Sequence, residues 1–149
     1  TPCLPRKICS LKPTKQRETM LKIINVGAKS DLPFSPAIIA GDLMFVSGQA
    51  SVDPDRGVII SGTFEEEMRR SIENLRSILE AAGLSLDNVI NVKSYVANQS
   101  DLAAYNKIYA EYFSAPLPTR STIMGVLGTL LQFELDCIAC VSTTRQNAS

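Results

Sequence analysis

The chain contains no histidine, so any hydrolytic or acid–base chemistry in it must run on arginine, carboxylates, tyrosine, lysine, hydroxyls, backbone groups and water. Two residues stand out by position. Arg120 opens the run "RSTIMG", which otherwise reads as a buried strand, and Glu134 lies inside "FELDCIACVS" between Phe133 and Leu135. A guanidinium is a planar fork that grips a carboxylate through two parallel hydrogen bonds, and a partly buried glutamate can orient a water or shuttle a proton. If their strands are antiparallel neighbours joined through residues 125–132, the two stand about opposite each other. Spacing then favours the plainer outcome, an ion pair at a sheet end, and leaves a ligand-binding role open. Asp136, two residues beyond Glu134, falls on the same strand face and competes for the same arginine.

Other motifs carry less. Ser47-Gly48-Gln49 follows a strand-like run and offers a hydroxyl and approachable amides, and Asp53 to Gly57 reads as a turn. "CIAC" at 137–140 matches the C-x-x-C pattern of redox and metal sites, but residues three apart on a strand point to opposite faces. Cys137 and Cys140 are therefore expected to pack, not to ligate, and no metal site is expected. Neither the Walker nor the dinucleotide glycine pattern is present.

Composition bounds the class. With 149 residues, 45% hydrophobic and 20% charged, the chain is the size and balance of one globular domain, and it holds no apolar run of the ~20 residues a bilayer span needs. Five of its 15 basic residues fall in residues 1–17, which hold no acid, leaving 10 basic against 15 acidic residues in the remainder. A mildly acidic body weighs against nucleic acid as a partner. The proline-bearing opening is expected to be a flexible basic tail over 1–19, ahead of a single domain over 20–149. The expected compartment is the cytoplasm, with organellar targeting by that tail left open.

These residues need elements to position them. Thr63 and Glu66 form a capping box ahead of Phe64, Met68, Ile72, Leu75 and Leu79 at helical spacing, with Gly83 as the stop. A second helix, capped at Ser100 or Asp101, carries Leu102, Tyr105, Tyr109 and Tyr112 or Phe113 on one side and ends before Pro116 and Pro118, with Asn106 beside the aromatic stripe. Strands are expected at "LKIIN", on both sides of a Gly41-Asp42 hairpin, at 89–96, and at the two runs bearing Arg120 and Glu134. The order implies an α+β two-layer sandwich, a mixed sheet with both helices on one face. The strands carry Met44, Val46, Val92, Val96, Cys137, Cys140 and their neighbours on both sides, so the face the helices leave uncovered is expected to be buried against another copy of the chain.

Taken together, "FVSGQASVDPDRGVI", "IENLRSILEAAGLSLDNVINVKSYVAN", "LAAYNKIYAEYF", "PTRSTI" and "FELDCIACV" resemble, over about residues 22–143, the Rid family (YjgF or L-PSP) of reactive intermediate deaminases. The resemblance implies a chorismate-mutase-like fold of the bacillus type, assembled as a homotrimer around a central barrel with a site in each cleft between subunits. It also implies hydrolysis of 2-imino or enamine acids to 2-keto acids and ammonia without a cofactor. Arg120 would hold the substrate carboxylate and Glu134 would position the attacking water. Ser47, Gly48, Asn106 and Thr122 correspond to cleft-lining positions, as does Phe34, where many members carry a tyrosine hydroxyl in a P-Y-S-Q stretch and this chain has "PFSPA". A second departure, "GVLGTLL" in place of an A-R-L-P type loop, also borders the cleft. Both bear on substrate identity. Alternatives are a non-catalytic trimer that binds small carboxylates, and the RNA-directed role for which family members are often labelled endoribonuclease or translation inhibitor.

Overall fold

The computed structural model of the protein describes residues 20–142; the basic tail expected over 1–19 lies outside them. Six strands and two helices run β1 (Leu21–Ile24), β2 (Ala37–Ala40), β3 (Leu43–Ala50), α1 (Phe64–Ala81), β4 (Val89–Val96), α2 (Leu102–Tyr112), β5 (Thr119–Met124) and β6 (Phe133–Cys140). This is the order read from the sequence. Gly41 adopts φ +61° in the tight β2–β3 turn, a conformation that costs glycine nothing.

Local signals act as expected in α1. The Thr63 side chain accepts from the Glu66 amide while Glu66 reaches back to the Thr63 amide, and three glutamates occupy the first turn at the positive end of the helix dipole. Phe64, Met68, Ile72, Leu75, Ile78 and Leu79 are buried along one face. At α2 the outcome differs: a 3-10 turn over Gln99–Asp101 leads into the helix, and neither Asp101 nor Ser100 caps it by a side-chain hydrogen bond. Tyr105, Ile108 and Tyr109 hold α2 to the sheet instead.

The six strands form one sheet in the order β1-β2-β3-β6-β4-β5. Each helix returns the chain so that the following strand runs parallel to the preceding one: β5 pairs parallel with β4, and β3 and β4 run parallel on either side of β6. The last strand then enters antiparallel to both neighbours. It is the most buried strand, with Phe133, Leu135, Cys137 and Ala139 all under the helices. The 125–132 connection therefore crosses the end of β4, where Gly125 donates to Val96 and Ala97 donates to Gln132. It is pinned by the buried Glu67, whose carboxylate accepts from the Gln132 amide at 2.8 Å and the Gly62 amide at 3.2 Å.

Both helices cover one face. Met44, Val46, Val92, Val96 and Cys137 belong to that covered core, and Cys140, paired with Leu43, falls on the other face, so the apolar residues of the strands are divided between the two sides. The open face is apolar through other residues: Leu21, Ile23, Leu43 and Phe45 project from it, with Ile38 and Ile138 between. The reason is register. A shift of one residue exchanges the two faces of a strand, and only pairing settles which set goes inward.

Candidate functional site

Alternation along β6 puts Glu134 and Asp136 on the open face, half-buried, between core residues that face the helices. Tyr95, the β4 partner of Glu134, donates its hydroxyl to Asp136 Oδ2 at 3.2 Å. Burial, and then the neighbouring Asp136 carboxylate, push the Glu134 carboxyl above the usual glutamate range. On its other side Glu134 pairs with Ala50, next to a bulge in β3 where Ser47 and Gly48 interrupt the ladder between Val46 and Gln49. Gly48 is there because the Glu134 carboxylate occupies the space a side chain would need. The Ser47 hydroxyl donates to the Ser35 carbonyl at 2.6 Å, anchoring the loop that carries Phe34. Phe34, Gly48 and Glu134 together line one cavity of about 310 Å³.

Arg120 lies elsewhere. On β5 it shares the covered side of the sheet with its β4 partner Val92, and its exposed guanidinium stacks 4.9 Å from the Tyr105 ring centre and 4.8 Å from that of Tyr109. Such stacking orients the fork while leaving its N–H donors for a ligand. Thr122, two residues on, donates to the Tyr105 hydroxyl at 3.2 Å. Asn106 is exposed on α2 beside Tyr105. Thus Phe34, Ser47, Gly48 and Glu134 form one group, and Arg120, Thr122 and Asn106 a second at the β5 edge.

The two groups do not meet within the chain. Strand β4 separates β5 from β6, and Arg120 is level with Cys137, whose side chain is on the face opposite to that of Glu134. Strand spacing and rise put the two Cα atoms roughly 14 Å apart. The expected antiparallel neighbourhood of the two strands is therefore wrong, and with it the ion pair. Among the described residues the ion pairs are Arg69 with Glu111 and Arg76 with Glu73; no carboxylate engages Arg120.

Several contributors were not legible as such. The Tyr105 and Tyr109 rings read as core stripe, and they are, but they also seat Arg120. Asn74 of α1 donates to the Ala50 and Val52 carbonyls at 3.1 and 2.9 Å, holding the strand beside Glu134, and only its near-helical spacing from Arg70, which grips Ser51 at 2.6 Å, hints at this. Cys137 and Cys140 point to opposite faces of β6 as expected, and burial pushes the Cys137 thiol up to about 12. No group of three or more metal-ligating side chains lies together among the described residues, and no described helix is long and apolar enough to cross a membrane.

A family model described as endoribonuclease L-PSP matches residues 27–141. The chain belongs to that family. Its relatives in the family include a RutC family protein of Pyrococcus horikoshii, 43% identical over 61% of this chain and 72% of that one. The human 2-iminobutanoate/2-iminopropanoate deaminase is 34% identical over 72% of this chain and 79% of its own length. Among solved structures, the conserved Rid family protein YyfA of Yersinia pestis superposes with a TM-score of 0.75, at 28% identity, over 82% of this chain and all of that one. The Rid-family fold, a mixed sheet with two helices, is thus the fold of this protein.

Proposed function

We propose that the protein hydrolyses 2-imino acids of the 2-iminobutanoate and 2-iminopropanoate class to 2-keto acids and ammonia, in a homo-oligomer, expected to be a trimer, whose sites lie between subunits. The observation that carries this reading is the separation of Arg120 from Glu134. A guanidinium stacked on two rings with no carboxylate partner among the described residues is suited to a substrate carboxylate, while a desolvated glutamate beside a cavity is suited to water. Neither completes a site alone. The open face, with Leu21 and Ile23 each more than half exposed, offers apolar surface for a second copy to cover.

In the completed site, Arg120 of one subunit holds the carboxylate by its fork. Glu134 of the next accepts a proton as water attacks the imine carbon. Glu134 returns that proton to the imine nitrogen, giving a neutral carbinolamine; it then takes the proton of the new hydroxyl and passes it to the amino nitrogen, so that C=O forms as the C–N bond breaks and ammonia leaves with a keto acid behind. An imine carbon is already electrophilic, so placement of the carboxylate, the water and one relay group suffices. The names of the human relative and of the family's plant and mouse members, which include reactive intermediate and imine deaminases, support this class of reaction.

Release of keto acid from amino-acid-derived imines tests the reading. Arg120→Ala is expected to lower kcat/KM by about 10²- to 10³-fold, and Arg120→Lys, which keeps charge but loses the fork, by about 10- to 100-fold. Wild-type rates in Arg120→Ala would overturn it.

A further inference from the structure

The cavity beside Glu134 is larger and more apolar than a methyl or ethyl substituent requires. Its volume of about 310 Å³ equals the liquid share of about ten waters. Its walls are Val26, Leu32, Phe34, Val52, Ile59 and Ile78, drawn from the 25–36 loop, the 51–60 hairpin and α1. Two close approaches build it. Gly57, at φ +68°, lets the 53–57 turn pack directly on the Lys29 carbonyl, and the Ile78 side chain packs at Gly27. The polar groups on its lining are few: the Gln49 amide donates to the Ser47 carbonyl, leaving the Glu134 carboxylate and, from the 25–36 loop, Lys29 and Ser30. Phe34 lines the same space with a ring that carries no hydroxyl.

We infer that this cavity receives the side chain of the substrate, and that the preferred substrates are 2-imino acids with branched aliphatic or other bulky apolar side chains. The assignment rests on the reading of Glu134 as the residue that positions water, since it is that carboxylate which places the imine carbon at the cavity mouth. A methyl substituent leaves the apolar walls wet. An isobutyl group adds three carbons and displaces that water, and at the usual gain per buried carbon a preference of about tenfold or more follows.

The test compares imines generated from leucine and from alanine, together with calorimetric binding of 4-methyl-2-oxopentanoate and pyruvate. Two variants accompany the wild type: Ile59→Glu, at an exposed wall position, and Val52→Phe, which fills the space. The wild type is expected to favour the leucine-derived imine by at least about tenfold in kcat/KM, and to bind the branched keto acid more tightly by a similar factor. Both variants are expected to lose that preference, kcat/KM for the leucine-derived imine falling by about tenfold or more relative to that for the alanine-derived imine. Equal turnover and equal binding of the two sizes would overturn the side-chain cavity and leave the deaminase reading standing. Absence of turnover with a binding preference that Ile59→Glu abolishes would support the cavity and overturn the hydrolysis. Absence of both turnover and preference would overturn both.

Discussion

Arg120 and Glu134 project from opposite faces of a single sheet, with β4 between their strands. No side-chain rotamer brings them together, so a reaction that needs both must draw them from different copies of the chain. Co-expression of Arg120→Ala and Glu134→Gln subunits is therefore expected to restore activity that neither has alone. With random assembly, a site between subunits is intact when one neighbour supplies arginine and the other glutamate, which gives roughly a quarter of wild-type activity. Mixed oligomers as inactive as their parents would place both residues in one subunit's site or in none.

Gly48 carries no positive φ, and the obstacle to a side chain there is the Glu134 carboxylate, the mobile end of a flexible chain. Gly48→Ala is expected to push that carboxylate aside at little cost to folding. A displacement of this kind lowers kcat by about 10- to 100-fold, with a melting temperature close to wild type. Steady-state kinetics beside thermal melts checks it; unchanged kcat would remove Glu134 from the reaction.

The proton affinity of Glu134 sets a pH dependence. Burial and Asp136 raise it, so the acid limb of kcat/KM should lie above the ordinary glutamate range, activity falling as pH drops through it. Asp136→Asn removes one of the two causes and should move that limb to lower pH. Stability has the opposite sense. A carboxyl whose folded value exceeds its unfolded value favours the protonated folded state, so its contribution declines as pH rises between the two. Glu134→Gln should therefore melt at or slightly above the wild-type temperature at pH 7 while losing turnover. A lower melting temperature would show that the charge is stabilising.

Glu67 ties the start of α1 to the end of the 125–132 connection by accepting from the Gly62 and Gln132 amides. Glu67→Ala leaves these amides without their acceptor in a buried position, at a cost of about 2–4 kcal/mol. A denaturant midpoint reduced in proportion, with the slope unchanged, is the expected result. Thr63→Ala, which removes only the exposed cap, should cost about 1 kcal/mol.

The sequence by itself determined the element order, the α1 cap, the Gly41 hairpin and the identity of the two charged residues, because each is written within a few neighbouring positions. The capping box needs four residues, the hairpin turn two, and helical periodicity one stretch of chain. The family was also legible, through several segments recurring together in order. Tertiary structure alone decided where β6 goes. Two strands adjacent in sequence, β5 and β6, are not adjacent in the sheet, since the α2 crossover lays β5 parallel to β4 and leaves the central slot for the most apolar strand. That one pairing placed Arg120 and Glu134 on opposite faces, removed the ion pair that spacing favoured, and put Met44, Val46, Val92, Val96 and Cys137 in the core. Strand faces follow register, and register is set by contacts between residues distant in sequence, which no local pattern records.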